Sequence, residues 1–268
     1  MTQALRIWPL LTATHRYEKT ISTFGRGLGQ MIDAPILAYL VETKNGRILY
    51  DVGCDHRKIN DPIQRARYYD PTTSVMGAPD MREEHRLPHH LARLGLTPLD
   101  VDVIFIGHLH FDHAGGLKEL RRCGCGAEIH VQQDEWDAAS SGEDPAVFAD
   151  DLIDDAGAPL QFRLQHGEYG VLPGVTAIST PGHTAGHMSM LIELPKGPPV
   201  LLAGDAADLQ ENIDDEIAPG TLWQGREAQA VASIRKLKAL ATETNAQLWP
   251  NHDMAFYRRL PTFPKACE

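Results

Sequence analysis

Apolar positions along this chain fall into short runs, each closed by a turn residue. Val101-Asp102-Val103-Ile104-Phe105-Ile106 is rich in β-branched and apolar side chains and predicts a buried strand ending at Gly107. Val175 to Thr180 predicts a second strand, stopped by Pro181-Gly182. Val200-Leu201-Leu202-Ala203 predicts a third, released at Gly204, and Gln247-Leu248-Trp249 a fourth, closed by Pro250-Asn251. Helical patterns lie between them. Glu83 to Leu94 puts Leu87, Leu91 and Leu94 on one face with Gly95 as a C-terminal stop, and Arg226 to Ala241 repeats Val231, Ile234, Leu237 and Leu240. Near the start, Ile36 to Glu42 and Arg47 to Tyr50 flank Lys44-Asn45-Gly46 and predict a hairpin in an outer part of a sheet. Strands and helices interleave through both halves, as in an α/β (α+β) protein.

The turns that close these runs carry the chemistry. His108-Leu109-His110-Phe111-Asp112-His113 follows Gly107, His183 follows Pro181-Gly182, Asp205 follows Gly204, and His252 follows Pro250-Asn251. Three imidazoles and a carboxylate within one hexapeptide exceed what packing explains, and nitrogen and oxygen donors at that density suit a zinc-like cation. A solvated polar turn accounts for one such histidine but not for the set. Side chains spread from 108 to 252 converge only if the strand ends lie side by side, at one edge of a sheet or of two packed sheets.

Composition narrows the classes. The 268 residues, 43% of them hydrophobic, are expected to form one domain over 1–268 with a sizeable core. Acidic residues outnumber basic ones 36 to 25, and the net charge of -11 offers no counterion release, which argues against nucleic acid as a partner. No apolar run approaches the roughly 18 residues of a membrane span, and Met1 to Leu11 lacks the sections of a secretory signal, so a cytoplasmic location is expected. Cys54, Cys123, Cys125 and Cys267 are irregularly spaced and indicate no disulfide framework. Cys123-Gly124-Cys125 is a weaker metal candidate, set against an incidental turn. Residues 17–35 and 56–82 depart from the regular plan and suggest functional cover loops. Within the first, Phe24 and Met31 are candidate substrate contacts, with packing on a nearby helix as the alternative. A small molecule is the expected partner, and the oligomeric state stays open, a homodimer included.

His108-Leu109-His110-Phe111-Asp112-His113-Ala114-Gly115-Gly116, Thr180-Pro181-Gly182-His183, Ala203-Gly204-Asp205-Ala206 and the hairpin leading to Asp51-Val52-Gly53 together resemble the metallo-β-lactamase superfamily. Within it the chain is most similar to the N-acyl homoserine lactonases, the quorum-quenching lactone hydrolases. The resemblance implies an αββα sandwich with a dinuclear metal site at the sheet edges. It assigns His108, His110 and His183 to one ion, Asp112, His113 and His252 to the other, and Asp205 to the bridge. Zinc is the first expectation for the two divalent ions, with iron, manganese or cobalt also suited. The implied reaction is lactone opening by a metal-bridging hydroxide, with N-acyl homoserine lactone the foremost substrate and another lactone, a thioester or an isothiocyanate the alternative. Asp112 and Asp205 are the implied catalytic residues, Asp112 orienting the nucleophile and carrying its proton to the leaving oxygen.

Variants within the motifs separate related groups. His110 differs from the glutamate of flavo-diiron proteins, and Asp205 from the cysteine of the best-known zinc β-lactamases. Asp208 stands where similar lactonases carry a tyrosine, and its carboxylate is expected either to bind metal-linked water or a polar substrate group, or to solvate a loop. Asp51 is a candidate partner for a metal-bound imidazole or a turn cap. His187 is assigned to structure, and His15, His56, His85, His89, His90, His130 and His166 mostly to surface or packing.

Overall fold

The structure, a computed structural model, describes residues 4–70, 72 and 76–268; positions 71 and 73–75 of the stretch 56–82 lie outside the described residues. A six-stranded sheet is built in chain order from β1 (Ala4–Glu18), β2 (Met31–Thr43), β3 (Gly46–Tyr50), β4 (Val103–Phe105), β5 (Glu128–Gln132) and β6 (Phe162–Gln165). A five-stranded sheet comprises β7 (Tyr169–Leu172), β8 (Val175–Ser179), β9 (Met188–Ile192), β10 (Val200–Leu202) and β11 (Gln247–Trp249), in the order β11-β10-β9-β8-β7. The helices are α1 (His56–Asn60), α2 (Pro62–Tyr68), α3 (Leu87–Arg93), α4 (Phe111–Ala114), α5 (Leu117–Arg122), α6 (Gln133–Ser141), α7 (Gln210–Asp215), α8 (Glu227–Thr244) and α9 (Met254–Tyr257).

Alternation along the strands makes the layers. On β2, Leu37, Tyr39 and Val41 join the core between the sheets, while Ala38 and Leu40 face the other way, onto Leu87, Leu91, Leu117 and Leu120 of α3 and α5. On β10, Val200 and Leu202 face the inter-sheet core, and Leu201 turns outward to Ile213 of α7 and Leu237 of α8. Helices therefore cover the outer face of each sheet, which is the expected αββα arrangement.

The four strands that lead to the candidate ligands form as read, within one or two residues at their ends. The helical pattern from Glu83 divides, because Arg86-Leu87-Pro88 leaves a 3-10 turn at Glu83–His85 and starts α3 at Leu87 with proline in its first turn. Gly95 stops that helix with φ +73°. The hairpin does lie in the outer part of its sheet, but it is not the edge, since β1 pairs antiparallel with β2 along its whole length and takes that place. Pro9 obscures β1 in the sequence, yet an edge strand tolerates a missing donor. The stretch 56–82 is not wholly loop either: Asp55 and Asp61 cap α1 and α2, each carboxylate accepting two backbone N–H groups.

Beneath α1, Lys58 donates to Asp151 at 2.7 Å with both side chains buried, and the ammonium lies over the Tyr68 and Phe148 rings. Burial pushes the Asp151 carboxyl up to about 7 despite that pair. Lys58→Met leaves this carboxylate without its counter-charge and is expected to destabilise the fold by about 3–5 kcal/mol in urea titrations at pH 8. Adding Asp151→Asn to that variant recovers part of the loss; no recovery would assign the cost to packing instead.

Candidate metal centre

The histidine motif leaves β4 through Gly107, whose backbone N–H donates to Asp51 Oδ1 at 2.7 Å, and coils into the single turn of α4. His108 and His110 stand before that turn, and Asp112 and His113 within it. Gly116 follows because the chain passes directly over Val52, where a Cβ would come within 2.2 Å of the Val52 carbonyl oxygen. The turns after β8, β10 and β11 bring His183, Asp205 and His252 to the same place. Among the described residues, candidate ligand atoms lie within 4.8 Å of one another in the groups His108/His110/His183, His108/His113/Asp205, Asp112/His113/His252 and Asp205/Asp208/His252.

His183 Nε2 stands 3.2 Å from His108 Nε2 and 3.1 Å from His110 Nδ1. Two nitrogens bound to one tetrahedral cation at 2.0–2.1 Å lie roughly 3.3 Å apart, so this spacing fits a shared ion. Asp205 faces both groups. Its Oδ2 lies 3.4 Å from His183 Nε2 and 3.8 Å from His108 Nε2, while its Oδ1 lies 3.4 Å from His113 Nε2 and 3.2 Å from His252 Nε2. Asp112 Oδ2 is 3.6 Å from His113 Nε2 and 3.8 Å from His252 Nε2. His113 Nε2 and Asp208 Oδ1 are buried without a hydrogen-bond partner, which a cation or its ligands would supply.

The charge pattern agrees with that fit. Burial lowers His183 to about 4, whereas at His252 the Asp205, Asp208 and Asp112 carboxylates outweigh burial and raise it to about 10. Burial and the adjacent Asp205 push Asp208 up to about 8. A cation bound here competes with the protons of this cluster, so its uptake releases acid.

A family model for the metallo-beta-lactamase superfamily matches residues 32–246. The chain belongs to this superfamily. An N-acyl homoserine lactonase of Bacillus sp is 34% identical over 238 residues, 88% of each chain, and one of Bacillus thuringiensis is 31% identical over 239 residues with the same coverage. Among solved structures, an N-acyl homoserine lactone hydrolase with the product N-hexanoyl-L-homoserine bound at its catalytic metal centre superposes with a TM-score of 0.84 at 28% identity, covering all of both chains.

Within the superfamily framework, the outer nitrogens of four of the five candidate imidazoles are held as metal ligands require, while His108 Nδ1 is buried without a hydrogen-bond partner. His113 Nδ1 pairs with Asp51 Oδ2 at 2.7 Å, His110 Nε2 with Asp144 Oδ2 at 3.0 Å, His183 Nδ1 with the Thr221 carbonyl at 3.1 Å, and His252 Nδ1 with the Pro35 carbonyl at 2.8 Å. Asp51 thus has the imidazole partner suggested for it, and a left-handed backbone at φ 57° aims its carboxylate at both His113 and Gly107. His187 is structural but close to the centre: its Nε2 accepts the Asp205 N–H at 2.9 Å. Asn251 donates to Asp205 Oδ1 at 2.8 Å. Neither Asp144 nor Asn251 carried a signal in sequence, because each acts through one long-range contact.

Of the candidate ligands, His110, Asp112, His183, Asp205 and His252 open onto a cavity of about 50 Å³, lined also by His15, Tyr17, Met76, Phe111, Asp208 and Thr221. Asp208 points inward rather than solvating a loop, being 3% exposed. Phe24 and Met31 do not line this cavity and are 45% and 49% exposed. β1 and β2 stay paired out to Glu18 and Met31, which carries the connecting loop beyond the sheet. His15, expected in a surface or packing role, packs edge-on against Tyr17 and Phe111 and also reaches the cavity from the same face of β1 as Tyr17. The period-two spacing of His15 and Tyr17 was the available signal. Cys123 and Cys125 join none of the ligand groups found among the described residues.

Proposed function

We propose that this chain is a zinc-dependent hydrolase of the cytoplasm that opens the ring of N-acyl homoserine lactones. The observation that carries this reading is the convergence of His108, His110, Asp112, His113, His183, Asp205 and His252 into overlapping groups of close donor atoms, in a chain 34% identical to an N-acyl homoserine lactonase. His108, His110 and His183 would hold one ion and Asp112, His113 and His252 the other, with Asp205 between them. Zinc suits this imidazole and carboxylate set, and four unpaired cysteines suit a reducing compartment.

Divalent ions in these positions supply an acidified water and a polarised carbonyl. The protein's own residues do the rest. Asp112, the one member of its ligand group that is not fully buried, accepts the proton of the attacking water and returns it to the leaving alkoxide. Asp51 and Asp144 hold His113 and His110 in fixed tautomers. Tyr17, whose hydroxyl pairs with Ser22 Oγ at 2.9 Å, and Asp208 receive the polar groups of the substrate beside the reacting carbonyl. Phe111, stacked on Phe148, forms the apolar wall.

Proton release on adding lactones tests the proposal, because ring opening yields acid. Metal-loaded protein is expected to release protons fastest with N-acyl homoserine lactones, to stop on chelation and to recover with zinc. Release confined to simple γ-lactones or a thioester would move the substrate elsewhere, and activity that survives chelation would remove the metal centre from the reaction.

A further inference from the structure

Glu135 belongs to none of the ligand groups, yet it joins the two turns that carry three of the imidazoles. It lies in the first turn of α6 and is 2% exposed. Its Oε1 accepts the backbone N–H of Leu109 at 2.9 Å, and its Oε2 accepts that of Gly186 at 3.0 Å. Leu109 sits between His108 and His110, and Gly186 lies three residues after His183. One carboxylate therefore grips both loops, one oxygen to each. The second loop rests directly on the helix, where a Cβ at Gly186 would come within 2.3 Å of the Glu135 backbone nitrogen.

A buried carboxylate is costly, and an apolar residue would serve packing alone better. The task that requires it is the presentation of two acceptors on one arm. Glutamine offers a single acceptor, and its amide N–H₂ would face the N–H of the other loop. We infer that Glu135 is a positioning residue that sets the spacing of His108 and His110 against His183, and with it the affinity of that three-imidazole group for its cation. The inference rests on the metal reading proposed above.

The test compares wild type with Glu135→Gln. Zinc is titrated against a chromophoric chelator, ¹⁵N-imidazole shifts of His110 and His183 identify the site that empties, and circular dichroism with thermal melting follows the fold. Wild type is expected to bind two ions. E135Q is expected to lose about 10–100-fold in affinity at the three-imidazole group while the other changes by less than about threefold. Lower melting with both affinities unchanged, or equal weakening at both sites, would overturn the inference and leave Glu135 a purely structural residue. If E135Q does not fold, Glu135→Asp, with the same oxygens on a shorter arm, must show the same one-site loss; unaltered affinity there overturns it equally. Wild-type protein that binds fewer than two ions overturns the metal reading, and the inference with it.

Discussion

Asp112→Asn is expected to lower kcat by about 10²–10⁴-fold while leaving the metal content close to that of wild type. Asparagine keeps an oxygen at the position that lies 3.6 Å from His113 Nε2 and 3.8 Å from His252 Nε2, so the ligand group retains its outline. What is lost is a group that can take a proton and give it back. His113 and His252 hold the Asp112 carboxyl below the usual carboxylate range against the opposing effect of burial, so it is anionic and ready to accept throughout the neutral range. Steady-state kinetics paired with metal analysis of the same samples checks this. A fall in activity that tracks metal loss and reverses with added zinc would make Asp112 a ligand alone.

A second large effect is expected at Asp205. Its carboxylate faces the imidazoles of both groups, so Asp205→Ala should disable both at once, whereas loss of an outlying ligand disables one. A ligand present at 100 times its Kd stabilises a fold by about 2.7 kcal/mol per site, and two such sites raise the melting temperature of a chain this size by roughly 10 °C or more. Calorimetry with and without zinc should show that rise in wild type and none in D205A, together with loss of hydrolysis. Metal-free D205A is also expected to melt slightly below metal-free wild type, because Asn251 Nδ2 loses its acceptor, worth about 1–3 kcal/mol. A zinc-dependent rise that persists in the variant would remove Asp205 from between the two groups.

The candidate ligand positions were legible because each is a local feature: a short apolar run, a breaking glycine or proline, then the donor. The hairpin and α8 were legible for a similar reason, an Asn-Gly turn in one and a helical repeat of Val231, Ile234 and Leu237 in the other. β1 was not, because Pro9 interrupts its alternation and its pairing with β2 is what makes it a strand. With β1 unread, His15 and Tyr17 went unrecognised at the cavity. Phe24 and Met31 drew attention as apolar residues in a loop, but composition does not say which way a loop leaves the sheet.

By itself the sequence determined which residues can ligate and at which strand ends they stand, since these follow from periodicity and turn chemistry within a few residues, while the layered αββα class was implied by the resemblance of its motifs to a known superfamily. Tertiary structure alone decided which groups support them. Asp51 reaches His113, Asp144 reaches His110, Asn251 reaches Asp205, and Glu135 spans the loops at Leu109 and Gly186. Those partners lie tens of residues apart. They meet because strand order and sheet packing set their separation, and a hydrogen bond made at 2.7–3.0 Å depends on that placement rather than on any pattern along the chain.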